Sequence, residues 1–230
     1  MKSTFKNMTN EKTFADLKAA KTEPLNVSRG NSKLVSNDDT LFLIWNLPAK
    51  MTCPGKTHHC SIACYAIKAE ILYKDCLPSR QKNLKESLKD DFISRGIYTI
   101  LKAIKYDRKH RHIVVRIHES GDFYNAAYAA KWITIANALI GENVTFICYT
   151  KSFAFFDGID LPENFQLRAS IWDDTPVKDL ETINRNSWNT YSAVEKFTDS
   201  DDFGHCRCED CATCGKCWNP DYKAVCCEIH

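Results

Sequence analysis

Two clusters of cysteine dominate the chemistry this chain can do. Cys53, Cys60 and Cys64 fall in one short window and Cys206, Cys208, Cys211, Cys214 and Cys217 in another, so eight of the twelve cysteines of the 230 residues lie in two segments. Thiolates are soft ligands, and such dense grouping suits a metal centre better than a set of distant disulfide staples. The run Cys208-x2-Cys211-x2-Cys214-x2-Cys217 has the compact spacing of an iron-sulfur ligand set, with Cys206 as an alternative to Cys208. A [4Fe-4S] cluster is therefore the expected cofactor. Zinc is the alternative, because the pairs Cys208/Cys211 and Cys214/Cys217 each leave the two-residue gap that folds thiolates over one tetrahedral ion. A disulfide scaffold fits poorly: such domains are small and poor in core, whereas this chain is 44% hydrophobic and starts Met-Lys-Ser-Thr-Phe-Lys without an apolar stretch.

In the first window, Cys53-Pro-Gly-Lys-Thr-His-His-Cys60-Ser-Ile-Ala-Cys64, one thiol sits in a loop. The other two, four apart, are expected on one face of the first turn of a helix whose dipole favours thiolate. Three cysteines leave one iron of a cubane without a local thiolate, open to His58, His59, a distant cysteine or a ligand. Cys76 and Cys148 are read as structural, with Cys226 and Cys227 as spare thiols. Outside sulfur, the turn Glu119-Ser-Gly-Asp122 is a candidate ligand contact, since Gly121 admits close backbone approach and Asp122 accepts from an amine or ribose. Lys151 and Arg168 are candidates to neutralise a carboxylate or a cluster. His118 is read as a core histidine.

These residues need positioning, and the hydrophobic pattern indicates how. The runs Leu41 to Trp45, His112 to His118, Val144 to Tyr149 and Phe165 to Ile171 are apolar or β-branched and read as strands, with a weaker one in Trp188 to Val194. Helices are expected over Thr13 to Lys21, Ser61 to Lys74, from a Ser79 cap through Leu84 and Leu88, over Phe92 to Tyr106, and from an Asn125 cap to Ile140. Alternation of this kind implies an α/β fold with a mainly parallel sheet, an open partial βα barrel of four or five strands. An N-terminal arm (1–40), a barrel domain (41–200) and a cysteine-rich metal-binding segment (201–230) are expected. The candidate residues then follow strand ends, where ligands of parallel α/β folds collect.

Charge excludes some classes. Basic and acidic residues nearly balance at a formal +2, which gives no nucleic-acid footprint, and the basic run Lys105 to His112 reads as a solvated helix end. No stretch has the length and apolarity of a membrane span and no cleavable export signal is visible, so a reducing cytoplasm is expected.

Gly30-Asn-Ser-Lys-Leu34, Cys53-Pro-Gly, Cys60-x3-Cys64-Tyr65, Arg116-Ile-His-Glu-Ser-Gly-Asp-Phe123, Tyr149-Thr-Lys-Ser152 and Cys211-x2-Cys214-x2-Cys217-Trp218 together resemble the gene-product-88 family of bacteriophage proteins. The resemblance implies a viral origin, the host cytoplasm as location and a cluster, without a reaction. A more distant topological likeness is to radical S-adenosylmethionine enzymes, which place a three-cysteine loop after the first strand of a partial barrel and a glycine-acid turn after the second. Here the gaps between cysteines are six and three residues, where that family has three and two. Two functions follow: a redox or electron-carrying iron-sulfur protein with a small-molecule or redox partner, or an enzyme using an open iron to bind S-adenosylmethionine. A zinc-stabilised interaction protein is the third.

Overall fold

The computed structural model describes residues 10–31, 34–194, 204–205 and 210–228. Among the described residues, seven parallel strands form one open half-barrel sheet in the order β1-β2-β3-β4-β5-β7-β6. They are β1 (Thr40–Trp45), β2 (His112–Ile117), β3 (Val144–Thr150), β4 (Phe165–Ile171), β5 (Asn189–Val194), the two-residue β6 (Gly204–His205) and β7 (Ala224–Glu228). The α/β open-barrel expectation holds, with more strands than the four or five expected. The additional ones come from the C-terminal region, where Ala224–Glu228 pairs in parallel with β5.

Alternation along each strand sorts side chains between two layers. Leu41, Leu43, Trp45, Ile113, Val115, Ile117, Val144, Phe146 and Cys148 face the main core. There they pack against the apolar stripes of α5 (Phe92–Tyr106) and α6 (Ala126–Ala138), with Phe14 of α1 (Asn10–Ala19) closing one side. The Asn125 side chain caps α6 by accepting from the Tyr128 N–H at 2.8 Å, as its position before the helix predicts. On the concave face, Phe42, Val114 and Ile147 form a second apolar cluster, covered by Leu34, Cys211, Ala212 and Trp218. Every residue of β1 is therefore buried, as in parallel strands covered on both sides.

The helical stretch between β1 and β2 departs from expectation. The helix expected over Ser61 to Lys74 is two, α2 (His58–Ile62) and α3 (Tyr65–Leu72), because Cys64 takes an extended conformation (φ −66°, ψ 98°). Ser79 lies inside α4 (Cys76–Ser87) and does not cap it: the helix starts earlier, with Pro78 in its first turn where no backbone N–H is needed. The remaining helices are α7 (Val177–Arg185) and the single turn α8 (Cys211–Cys214).

Arg168 binds the concave face to its cover. Buried at 1% exposure, it donates from Nε to the carbonyl of Cys217 at 2.5 Å, from Nη2 to those of Lys216 and Asn219 at 2.9 and 3.0 Å, and from Nη1 to that of Tyr222 at 2.7 Å. Arg168→Met should cost about 3–5 kcal/mol, the usual penalty when buried acceptors lose a charged donor. Limited proteolysis would show new cleavage within 210–222 before the barrel is cut; an unchanged digestion pattern would contradict this role.

His118 follows β2 with a positive φ of 64°, its Nε2 2.9 Å from the Tyr128 hydroxyl, which also accepts from Trp45 Nε1. Burial, and secondarily the charge of Arg116, pushes its pKa down to about 3. The folded chain thus refuses a proton that the unfolded chain takes up near pH 6.5, and stability falls as pH drops through that window. His118→Asn, which tolerates the left-handed backbone, should reduce the slope of unfolding free energy against pH between about 6.5 and 3 by one proton, roughly 1.4 kcal/mol per pH unit. Denaturant titrations at several pH values measure it.

Candidate metal centre

The three cysteines of the first window lie at the carboxyl mouth of the half-barrel, in the segment from the end of β1 to the start of α3. That loop is fastened on several sides. Asn46 Oδ1 accepts from the N–H groups of Glu119 and Ser120 at 2.8 and 3.0 Å, and the Ser120 hydroxyl donates to the Leu47 carbonyl at 2.9 Å, so the turns after β1 and β2 are joined. Gly121, at φ 80°, sits where a Cβ would lie 2.5 Å from Thr52 Oγ1 and 2.7 Å from Leu47 Cβ. Gly55, two residues after Cys53, presses on the end of β3, where a Cβ would lie 2.1 Å from the Lys151 carbonyl oxygen. Both positions require glycine because another chain segment occupies the space.

Thr57 caps α2 and accepts from the Cys60 N–H at 3.3 Å. His59 ties the loop to the end of β4: its N–H donates to Asp174 Oδ2 at 2.8 Å and its Nδ1 lies 2.7 Å from Asp173 Oδ1. Cys64 is the N-cap of α3, with no side-chain capping bond. It is thus not on one helical turn with Cys60, as the four-residue spacing suggested. The break between the helices places Cys64 at the N-terminus of α3. Tyr65 donates from its hydroxyl to the Glu119 carbonyl, holding α3 to the turn after β2.

The thiols feel one another. Burial pushes Cys53 up to about 12, with Asp122, Cys60 and Cys64 adding to the shift. Cys60 is also raised by burial, against the pull of the Lys151 ammonium. Lys151, donating from Nζ to the Ser170 carbonyl and hydroxyl at 2.8 and 3.0 Å, is itself lowered to about 8 by burial. Of these thiols it is Cys60 that Lys151 faces electrostatically. Among the described residues no three thiol sulfurs lie within 4.8 Å of one another; the one group of potential ligands that compact is His59, Asp173 and Asp174.

The other candidates have different surroundings. Asp122 is buried, and its carboxylate accepts from the Phe123 N–H and Thr150 hydroxyl at 2.7 Å and from the Lys151 N–H at 2.9 Å, so it secures the turn to the end of β3. Arg168 serves the tail, as above. Cys211 opens α8, which Asp210 caps, Cys214 ends it, and Cys217 lies against Tyr149 and Arg168. Cys206 and Cys208 lie outside the described residues. Cys148 is buried in β3 and Cys76 begins α4, the former in the core as expected. Sequence reasoning missed Arg116 on the concave face and the clasp of His59 with Asp173 and Asp174. For Arg116 a signal existed: it is a lone charge inside an otherwise β-branched strand.

Among the described residues no helix is long and apolar enough to cross a membrane. No curated protein and no solved structure matches the chain. The family model described as Gene product 88 matches residues 25–220, a span containing the mouth thiols, the turn after β2 and the tail cysteines through Cys217. With that much of its length matched, the chain belongs to the gene product 88 family of phage proteins.

Proposed function

We propose that this is an iron-sulfur protein whose cluster is held at the mouth of the half-barrel by Cys53, Cys60 and Cys64. The tail set Cys211, Cys214 and Cys217, with Cys208 or Cys206, would form a second site. The observation that carries this reading is the convergence of the three loop thiols, each within the electrostatic reach of another, beside the Lys151 ammonium. Such a group supplies one-electron redox chemistry when bound, which fits a redox or electron-transfer role. The protein's part is to hold the half-buried sulfurs in one loop and to set Lys151 against the charge of Cys60.

Zinc is the alternative occupant of these thiols, and metal and sulfide analysis separates it from a cluster. An enzyme using an open iron to bind S-adenosylmethionine is the second reading, favoured by a three-thiol loop after the first strand of an open parallel barrel. Formation of deoxyadenosine on reduction in the presence of that cofactor would select it, and its absence selects the carrier.

Anaerobic purification followed by iron, sulfide and zinc analysis tests the ligand sets. Wild type should contain iron and sulfide in equal amounts, and Cys60→Ala and Cys214→Ala should each lose a separate part of both. Iron retained in full by both variants, or zinc without sulfide in wild type, would refute the assignment. Because Cys53 and Cys60 are protonated in the metal-free chain at neutral pH, loading releases protons. Reconstitution should therefore strengthen from pH 7 to 9, by about tenfold per pH unit for each proton displaced.

A further inference from the structure

Among the described residues the concave face carries the cations Arg116, Lys151 and Arg168, and two of them have partners. Lys151 bonds to Ser170 and faces Cys60, and Arg168 donates to the tail carbonyls. Arg116 is different. It alternates on β2 with Val115 and Ile117 of the main core, so it faces the concave side. Its guanidinium carbon lies 3.6 Å from the centroid of the Tyr149 ring. No carboxylate among the described residues pairs with it, and its Nη1 is buried with no acceptor.

A guanidinium stacked on a ring keeps its in-plane N–H fork for a planar or tetrahedral oxyanion, and leaving that fork unmatched in a low-dielectric site is costly. The ring beneath it is well braced. Tyr149 meets Tyr191 edge-on at 4.5 Å and contacts Cys217. A separate cavity of about 630 Å³ at the strand ends is lined by His59, Ile62, Trp172, Ser192 and Ala193, and neither Arg116 nor Tyr149 belongs to its lining. We propose that Arg116, stacked on Tyr149, anchors a small-molecule site on the concave face and binds the carboxylate or phosphate group of its ligand. This does not rest on the cluster, since neither the stack nor the orphaned nitrogen involves a mouth thiol.

The test uses the full chain, purified anaerobically, with inorganic phosphate and succinate as probes at constant ionic strength set by chloride. Thermal unfolding midpoints and iron content are measured for wild type, Arg116→Lys, Arg116→Gln and Tyr149→Leu. In wild type one of the two probes should raise the midpoint in a saturable way, and which one does so separates phosphate from carboxylate chemistry. Arg116→Gln should weaken the apparent affinity at least tenfold, Arg116→Lys and Tyr149→Leu less, with iron content unchanged in both Arg116 variants. Without probe, Arg116→Gln should unfold no earlier than wild type, because it removes a half-buried charge that no carboxylate among the described residues pairs. No response beyond the chloride control in wild type, or an equal response in Arg116→Gln, would overturn the site. Loss of iron from Arg116→Gln would overturn it too, by making Arg116 the counter-charge of a metal centre. Should Arg116→Gln not fold, the wild-type response and Tyr149→Leu decide alone.

Discussion

One guanidinium holds the two halves of this molecule together. A half-barrel leaves its concave face uncovered, and here that face carries Phe42, Val114 and Ile147, which must be shielded from water. The shield is the segment around Cys211 to Tyr222, a single helical turn followed by loop, which cannot satisfy its own carbonyls by regular pairing. Arg168 meets four of them from one position in β4. A lysine there would be a point charge with three donors; the planar fork with five reaches acceptors on several sides at once. Because the same segment brings Cys217 against Tyr149, the position of the tail thiols is set from inside the barrel.

The mouth is built by close approach of backbone. Gly55 rests on the Lys151 carbonyl and Gly121 on Leu47 and Thr52, so the cysteine loop is wedged against the ends of β2 and β3 with no room for a side chain between. The chemistry follows from this. Sulfur packed that tightly loses hydration, which is why burial leads the causes of the shifts at Cys53 and Cys60. A desolvated thiol keeps its proton at neutral pH, which sets these sulfurs apart from an activated nucleophilic thiolate.

Much of this was legible in the residues. The strands β1 to β4 and the helices α5 and α6 follow their β-branched runs and apolar stripes closely, and Asn125 caps where its type and position suggest. The break at Cys64 was hidden, because Ile62, Tyr65 and Ala69 keep a helical period across it; the period is misleading, since Ile62 and Tyr65 are exposed and report no buried face. The strand Ala224–Glu228 was obscured by being short and rich in cysteine, which drew it into the metal-binding reading. Asp122 and Arg168 show a different limit. Residue type announces a strong acceptor or donor, but whether it faces a ligand or its own backbone depends on segments 28 to 54 residues away, which no local pattern contains.

The near-neutral sequence conceals a local separation of charge. The rim of the mouth carries acids, Asp173 and Asp174, clasped to His59, while the concave face below carries Arg116, Lys151 and Arg168. Cys60 lies between these layers, its thiol raised first by burial and then by Asp122 and Asp174, against the pull of Lys151. The same layering gives a small anion reason to move inward from the rim, toward the one cation of the three whose donors are unmatched.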